Sequence, residues 1–219
     1  TMDELAEAVD RVIAGPERKS RVISQREKEI TAYHEAGHAL VAYQLPHADP
    51  VQKVSIVSRG TMGGYTRMLP NEDRYLLSKA QFEDMLAVAM GGRVAEEMVF
   101  DDITTGASND LENATQIARR MVTQYGMSDI LGPRTFGKKD ELVFLGREIS
   151  EQRDYSDHIA QQIDDEVHSF VTTAYARSKE ILSSYKAKLA QIARYLIANE
   201  TVEGEELKTL FESPAPSQE

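Results

Sequence analysis

Apolar side chains recur at helical spacing at Leu5, Ala8, Val9 and Val12, and Gly15-Pro16 then halts the pattern, which predicts a short leading helix over 1–14. Ser24 followed by Glu27 has the form of a capping box, and Ile30, Tyr33, Leu40 and Val41 carry a helical stripe on to about Tyr43. The texture changes over 51–69. There Val54, Ile56 and Tyr65 alternate with polar residues around Gly60, Gly63 and Gly64, the mark of a hairpin or small sheet. A second capping pair, Ser78 and Gln81, opens a helix over 82–90. Gly91-Gly92 is expected to break that helix, with a further turn or two over 93–99. Helical texture returns from 107 to about Tyr125, and 126–150 reads as loop with a short strand-like stretch at 142–145. Ile159, Ile163, Val167, Phe170, Ala174, Ile181, Tyr185, Leu189, Ile192 and Leu196 keep helical spacing almost to Asn199, as two long packed helices would. A short helix over 203–211 and a frayed tail over 213–219 follow. The expected class is mainly α, with a small β-element at the rim of the site described next.

Composition narrows the function more than the fold. With 41% apolar and 28% charged residues, the chain is ordinary for a globular domain, and 219 residues can bury a sizeable core. The net charge of -11 would repel a phosphate backbone, and no basic stripe offsets it, so nucleic acid is not an expected partner. No apolar run approaches the roughly 18 residues that a membrane span needs, so this stretch is expected to be soluble. Zero cysteines exclude disulfides, thiolate metal sites and a cysteine nucleophile, which leaves histidines and carboxylates to hold any metal.

The candidate chemistry lies within the first long helix, at His34-Glu35-Ala36-Gly37-His38. Residues four apart share a helix face, so both imidazoles can address one ion while Glu35 sits beside it as a proton acceptor. Two surface histidines that happen to flank a glutamate would give the same pentapeptide. Gly37 argues against that, because a glycine inside a helix costs up to about 1 kcal/mol and calls for a reason such as close approach of another element. A catalytic zinc also needs a third protein ligand. The extended motif that would supply one just downstream is absent, since Val41 and Gln44 occupy its positions. Asp110 and the pair Glu96-Glu97 are the carboxylates to weigh. Asp110 also suits the first turn of a helix simply as a partner for the helix dipole.

Other motifs carry less. Residues 132–139 imitate a phosphate-binding loop, but Lys139 stands where a Ser or Thr would hold magnesium, and the glycines at 60, 63 and 64 are a turn signal. His47, His158 and His168 lack ligand spacing. Met85, Met90, Met98 and Met121 fall at core-like positions, and Asp164-Asp165-Glu166 reads as a solvated helix face.

Taken together, the His34–His38 helix, Gly91-Gly92-Arg93-Val94-Ala95-Glu96-Glu97, the Ser-Thr-rich turn into Ser108-Asn109-Asp110, and Phe144-Leu145-Gly146-Arg147 resemble the peptidase domain of the FtsH-type membrane-bound AAA proteases. The resemblance runs from about Arg21 to Phe211. It implies a zinc endopeptidase domain over 17–212 with one Zn2+ per chain, and it casts 1–16 as the last helix and linker of a preceding AAA module that uses the ATP. The resemblance places the metal ligands at His34, His38 and Asp110, the catalytic residue at Glu35, and a supporting role at Glu96, that of orienting an imidazole. The strands over 51–69 resemble a segment beside the cleft. There Thr61, Met62, Gly63, Gly64, Tyr65, Thr66, Arg67 and Met68 would face substrate, and an unfolded polypeptide could be bound as an added strand. It further implies a homohexamer, a membrane anchor elsewhere in the parent chain, in a bacterial inner membrane or an organelle membrane, and this domain on the cytoplasmic or equivalent side. Two readings compete: a stand-alone zinc peptidase without an ATPase, and a catalytically silent, zinc-stabilised assembly module.

Overall fold

The computed structural model describes residues 8, 11, 12, 15, 16, 24–59, 63–70, 73–137 and 154–215. Most of the leading helix over 1–14, Gly60, Thr61 and Met62, the strand-like stretch at 142–145 with its neighbouring motif, and 216–219 lie outside them.

Helix α1 (Gln25–Gln44) starts where the capping pair puts it: the Glu27 amide donates to Ser24 Oγ at 3.2 Å and the Ser24 amide donates to Glu27 Oε2 at 3.1 Å. It stops at Leu45, which is extended because Pro46 follows and disfavours helical backbone before it. From Ala32 onward nearly every side chain of α1 is buried, so this is a central helix, wrapped on all sides by the rest of the chain.

A three-stranded antiparallel sheet lies beside it in the order β2-β1-β3, with β1 (Val51–Ser55) between β2 (Tyr65–Met68) and β3 (Thr201–Glu203). Val54 pairs with Thr66 on one side and with Val202 on the other, and its side chain is fully buried. The hairpin has the place its alternation suggests. The third strand does not announce itself, since three residues between two helices carry no periodicity of their own.

Helix α2 (Lys79–Phe100) begins with the capping box of Ser78 and Gln81 and ends at Asp101, whose φ of 51° is left-handed. It corrects one expectation, because Gly91-Gly92 does not break it. Both glycines are buried in mid-helix, and a Cβ on Gly91 would lie 2.8 Å from the Gly37 carbonyl oxygen. The missing side chains let α1 and α2 cross backbone to backbone, and packing offsets the intrinsic cost of about 1 kcal/mol per glycine.

A single turn of 3-10 helix (Thr105–Ala107) leads into α3 (Ser108–Thr123). Its buried residues Ala114, Ala118 and Met121 continue an inward stripe that begins, one turn earlier, at Asp110. The two long C-terminal helices are α4 (Asp157–Ser184) and α5 (Lys186–Asn199), and α6 (Gly204–Glu212) follows β3. Leu40, Leu86, Met90, Met121, Ile163, Leu182, Leu189, Ile192 and Leu196 form the fully buried core between α1, α2, α3, α4 and α5. Truncating one of them to alanine costs about 2–5 kcal/mol.

Two further expectations are corrected. Asp164 and Asp165 are solvated, but Glu166 turns inward and accepts the Ser128 hydroxyl, and Met85 is partly exposed while Met90 and Met121 are buried. Among the described residues no helix is long and apolar enough to cross a membrane.

Candidate metal centre and active site

Helix α1 presents His34 and His38 on one face, toward α2 and the start of α3. The two Nε2 atoms lie 3.0 Å apart, and Asp110 Oδ2 lies 3.2 Å from His34 Nε2 and 3.5 Å from His38 Nε2. His34, His38 and Asp110 form the one group of three or more potential ligands that converges among the described residues. The side chains of His47, His158 and His168 are exposed elsewhere on the surface.

The far nitrogen of each ring is held by a group that can only accept. His34 Nδ1 lies 2.7 Å from Glu96 Oε1 and His38 Nδ1 lies 2.7 Å from the Val88 carbonyl, so each Nδ1 carries a hydrogen and donates it. A ring without a second proton therefore turns the lone pair of Nε2 inward, toward the other ring and toward a carboxylate. Three acceptors at these separations repel one another unless a positive charge lies between them. A proton is one such charge. Burial alone would push His34 down, but hydrogen bonds to Asp110 and Glu96, with the charge of Glu35, outweigh it and hold the imidazole up to about 10. Burial likewise favours a neutral Asp110, yet bonds from both imidazoles keep it well below the usual carboxylate range.

A divalent metal is the other such charge, and the donor set fits one. Zinc takes His nitrogen and carboxylate oxygen at about 2.0–2.2 Å, and the edges of a tetrahedron with such bonds are about 3.3–3.5 Å long. The observed triangle of 3.0, 3.2 and 3.5 Å is close to one face of it.

The surroundings look built for this cluster. Glu96 is almost wholly buried, and the Thr104 amide donates to its second oxygen at 2.8 Å, so one carboxylate ties His34 to the turn that delivers Asp110. Burial raises Glu96, but the bonds from His34 and Thr104 prevail and hold it below its ordinary value. Gly92 leaves the space the rings occupy: a Cβ there would stand 2.5 Å from His34 Cε1, His34 Nε2 and His38 Nε2.

Glu35 points to the sheet side of the same helix turn. Only 6% exposed, it accepts the Thr66 hydroxyl from β2 at Oε2, 2.8 Å away, and the same hydroxyl lies 3.2 Å from its backbone carbonyl. Burial pushes the Glu35 carboxyl above its ordinary value, while the charges of His34 and His38 and the Thr66 bond oppose it. A buried carboxylate displaced upward in this way is suited to taking up a proton and giving it back.

His34, Glu35, His38, Glu96 and Asp110 thus come together. Of the strand residues Thr61–Met68 named from sequence, 61 and 62 lie outside the described residues, Gly63 and Gly64 precede β2, and Tyr65–Met68 form it. Gly92 and the Val88 carbonyl escaped the reading of the sequence. Two adjacent glycines inside an otherwise apolar helical run are a signal that could have exposed the first, whereas a backbone carbonyl leaves no trace in a sequence.

Comparison with known proteins bears on the family of the whole chain. Peptidase family M41 matches residues 21–210. The ATP-dependent zinc metalloprotease FtsH 1 of Sphaerobacter thermophilus is 67% identical over 213 residues, which are 97% of this chain and 33% of that protein. The ATP-dependent zinc metalloprotease FtsH 1 of Thermomicrobium roseum is 62% identical over 99% of this chain and 33% of its own length, and the ATP-dependent zinc metalloprotease FtsH of Thermotoga maritima is 52% identical over 96% and 35%. The chain spans about a third of the length of the curated relatives it matches. A family match over most of the chain, with relatives this similar along its length, means that the chain belongs to peptidase family M41.

Proposed function

We propose that this chain is the zinc endopeptidase domain of a larger ATP-dependent protease, with His34, His38 and Asp110 as metal ligands, Glu35 as general base and acid, and Glu96 orienting His34. The observation that supports it most is the convergence of three donor atoms within 3.0 to 3.5 Å of one another, each imidazole already committed at its other nitrogen. Zinc held there would supply Lewis acidity, which makes water a nucleophile near neutral pH.

The remaining work falls to the chain's own side chains. Glu35 takes the proton of the attacking water and delivers it to the leaving amine. Glu96 fixes the tautomer and rotation of His34, and the Val88 carbonyl does the same for His38. Strand β2 lies at the edge of its sheet, so its outer backbone groups can bind an extended polypeptide whatever its side chains. Residues 61–68 form the substrate-facing segment in this reading, and unfolded or damaged membrane and soluble proteins are the substrates.

The parent chain supplies an AAA module that hydrolyses ATP, a membrane anchor that leaves this domain on the cytoplasmic or equivalent side, and contacts that close a homohexamer. The words ATP-dependent in the relatives' names support the first of these.

Casein cleavage by wild type and Glu35→Gln tests the chemistry. The substitution keeps size and hydrogen bonding but removes the base, so a fall in rate of at least about 100-fold, with zinc still bound, is the expected result. Equal rates would favour the silent assembly module.

A further inference from the structure

Glu35 is held from two directions by the strand that runs beside it. Thr66 Oγ1 lies 2.8 Å from Glu35 Oε2, and among the described residues no other side chain donates to this carboxylate. Gly64, two residues earlier, closes the other approach. A Cβ there would stand 2.9 Å from Glu35 Cγ, 2.9 Å from Thr31 Cγ2 and 2.7 Å from the Ser55 carbonyl oxygen, so the methylenes of Glu35 lie directly against the backbone entering β2.

Thr66 is itself well fixed. It is β-branched on a strand, which limits its χ1 rotation, and it pairs with the fully buried Val54. Its hydroxyl also lies 3.2 Å from the Glu35 carbonyl, so the contact reaches both ends of the residue it serves. Sequence distance conceals all of this, since 31 residues separate the two positions.

We propose that Thr66 is the positioning residue for the catalytic carboxylate: its hydroxyl aims Glu35, while Gly64 sets the depth at which the side chain lies. The inference rests on Glu35 acting as the base. The Thr66 hydroxyl touches none of the candidate metal ligands and acts on the reaction only through Glu35, while the part of Thr66 assigned to substrate is its strand backbone, which valine keeps. Without the hydroxyl the buried carboxylate keeps its place in the helix but loses its aim. The turnover step then suffers, and substrate binding and metal binding do not.

The test is a set of variants of the zinc-loaded protein: Thr66→Val, Thr66→Ser, Glu35→Gln and the double variant Thr66→Val/Glu35→Gln. Valine keeps the shape and strand preference of threonine and removes the hydroxyl, whereas serine keeps the hydroxyl. Measured on an unstructured fluorogenic peptide, Thr66→Val should lower kcat about 10- to 100-fold, the range of a lost hydrogen bond to a charged group, with KM within about twofold of wild type. Thr66→Ser should recover most of that loss. Zinc affinity from competition with a chelator, and the melting temperature of the zinc-loaded protein, should be unchanged in Thr66→Val. In the Glu35→Gln background, Thr66→Val should cost nothing further.

Wild-type kcat in Thr66→Val alongside an inactive Glu35→Gln would overturn this inference and leave the parent reading intact. So would an effect confined to KM, a loss of zinc, a failure of serine to restore the rate, or an undiminished loss in the Glu35→Gln background. Full activity in Glu35→Gln would instead defeat the parent reading.

Discussion

A single absent methyl group carries much of the site. Gly92 sits where a Cβ would be 2.5 Å from ring atoms of both His34 and His38, and rings placed by that contact cannot retreat without giving up Glu96 and Val88. Gly92→Ala should therefore weaken zinc binding by about 10- to 100-fold, the range known for disturbed support of a metal ligand. Chelator competition would measure it, with circular dichroism expected to report unchanged helix content. The electrostatics give a second outcome at this scale. His34 is raised from 6.5 to about 10 by its carboxylate neighbours, so near neutral pH metal must displace a proton from it. For a raised histidine the protonated fold is the stabilised one: the contribution is complete below about pH 6.5 and fades as pH climbs toward 10. Between pH 6 and 8, zinc affinity should rise by up to roughly tenfold per pH unit, and zinc should raise the melting temperature more at pH 8 than at pH 6. Titration calorimetry in buffers of differing ionisation enthalpy would count the released proton. An affinity independent of pH would contradict the protonation described here.

Between elements, the decisive contact is the crossing of α1 and α2 at Gly37 and Gly91. A Cβ on Gly37 would meet the Gly91 carbonyl oxygen at 2.4 Å, and backbone cannot swing aside as a flexible side chain can. Gly37→Ala should cost about 1–3 kcal/mol or more in urea unfolding, the usual cost of overpacking a core. An alanine tolerated without cost would mean that the helices separate easily. This crossing also shows how far a sequence can be read. Gly37 inside a helix does signal a close approach, and the capping pairs at Ser24 and Ser78 do fix where α1 and α2 begin, because both are local effects. Gly91-Gly92 misleads when taken locally, since glycine weakens an isolated helix and only the facing helix explains why this one continues. The four-residue spacing of His34 and His38 is local too. Asp110 and Glu96 become legible only through resemblance to a family, since spacing alone leaves several carboxylates open. The Thr66 contact and strand β3 are beyond local reading, as each depends on a partner far along the chain.

At the scale of the whole molecule, the central helix gathers the chemistry. Helix α1 contributes His34, Glu35 and His38, while α2, α3 and β2 each bring a group to it from a different side: Glu96, Asp110 and Thr66. Anchoring the site on four elements of one core makes its geometry as rigid as the packing beneath it, and metal should in turn tie those elements together. The claim on which everything else rests is that a metal ion sits among His34, His38 and Asp110. The most direct measurement is an anomalous-scattering map at the zinc edge from crystals grown with zinc. The account predicts one strong peak within about 2.0–2.2 Å of both Nε2 atoms and of an Asp110 carboxylate oxygen. An empty map at that position, or a peak with Asp110 turned away from it, would contradict the account.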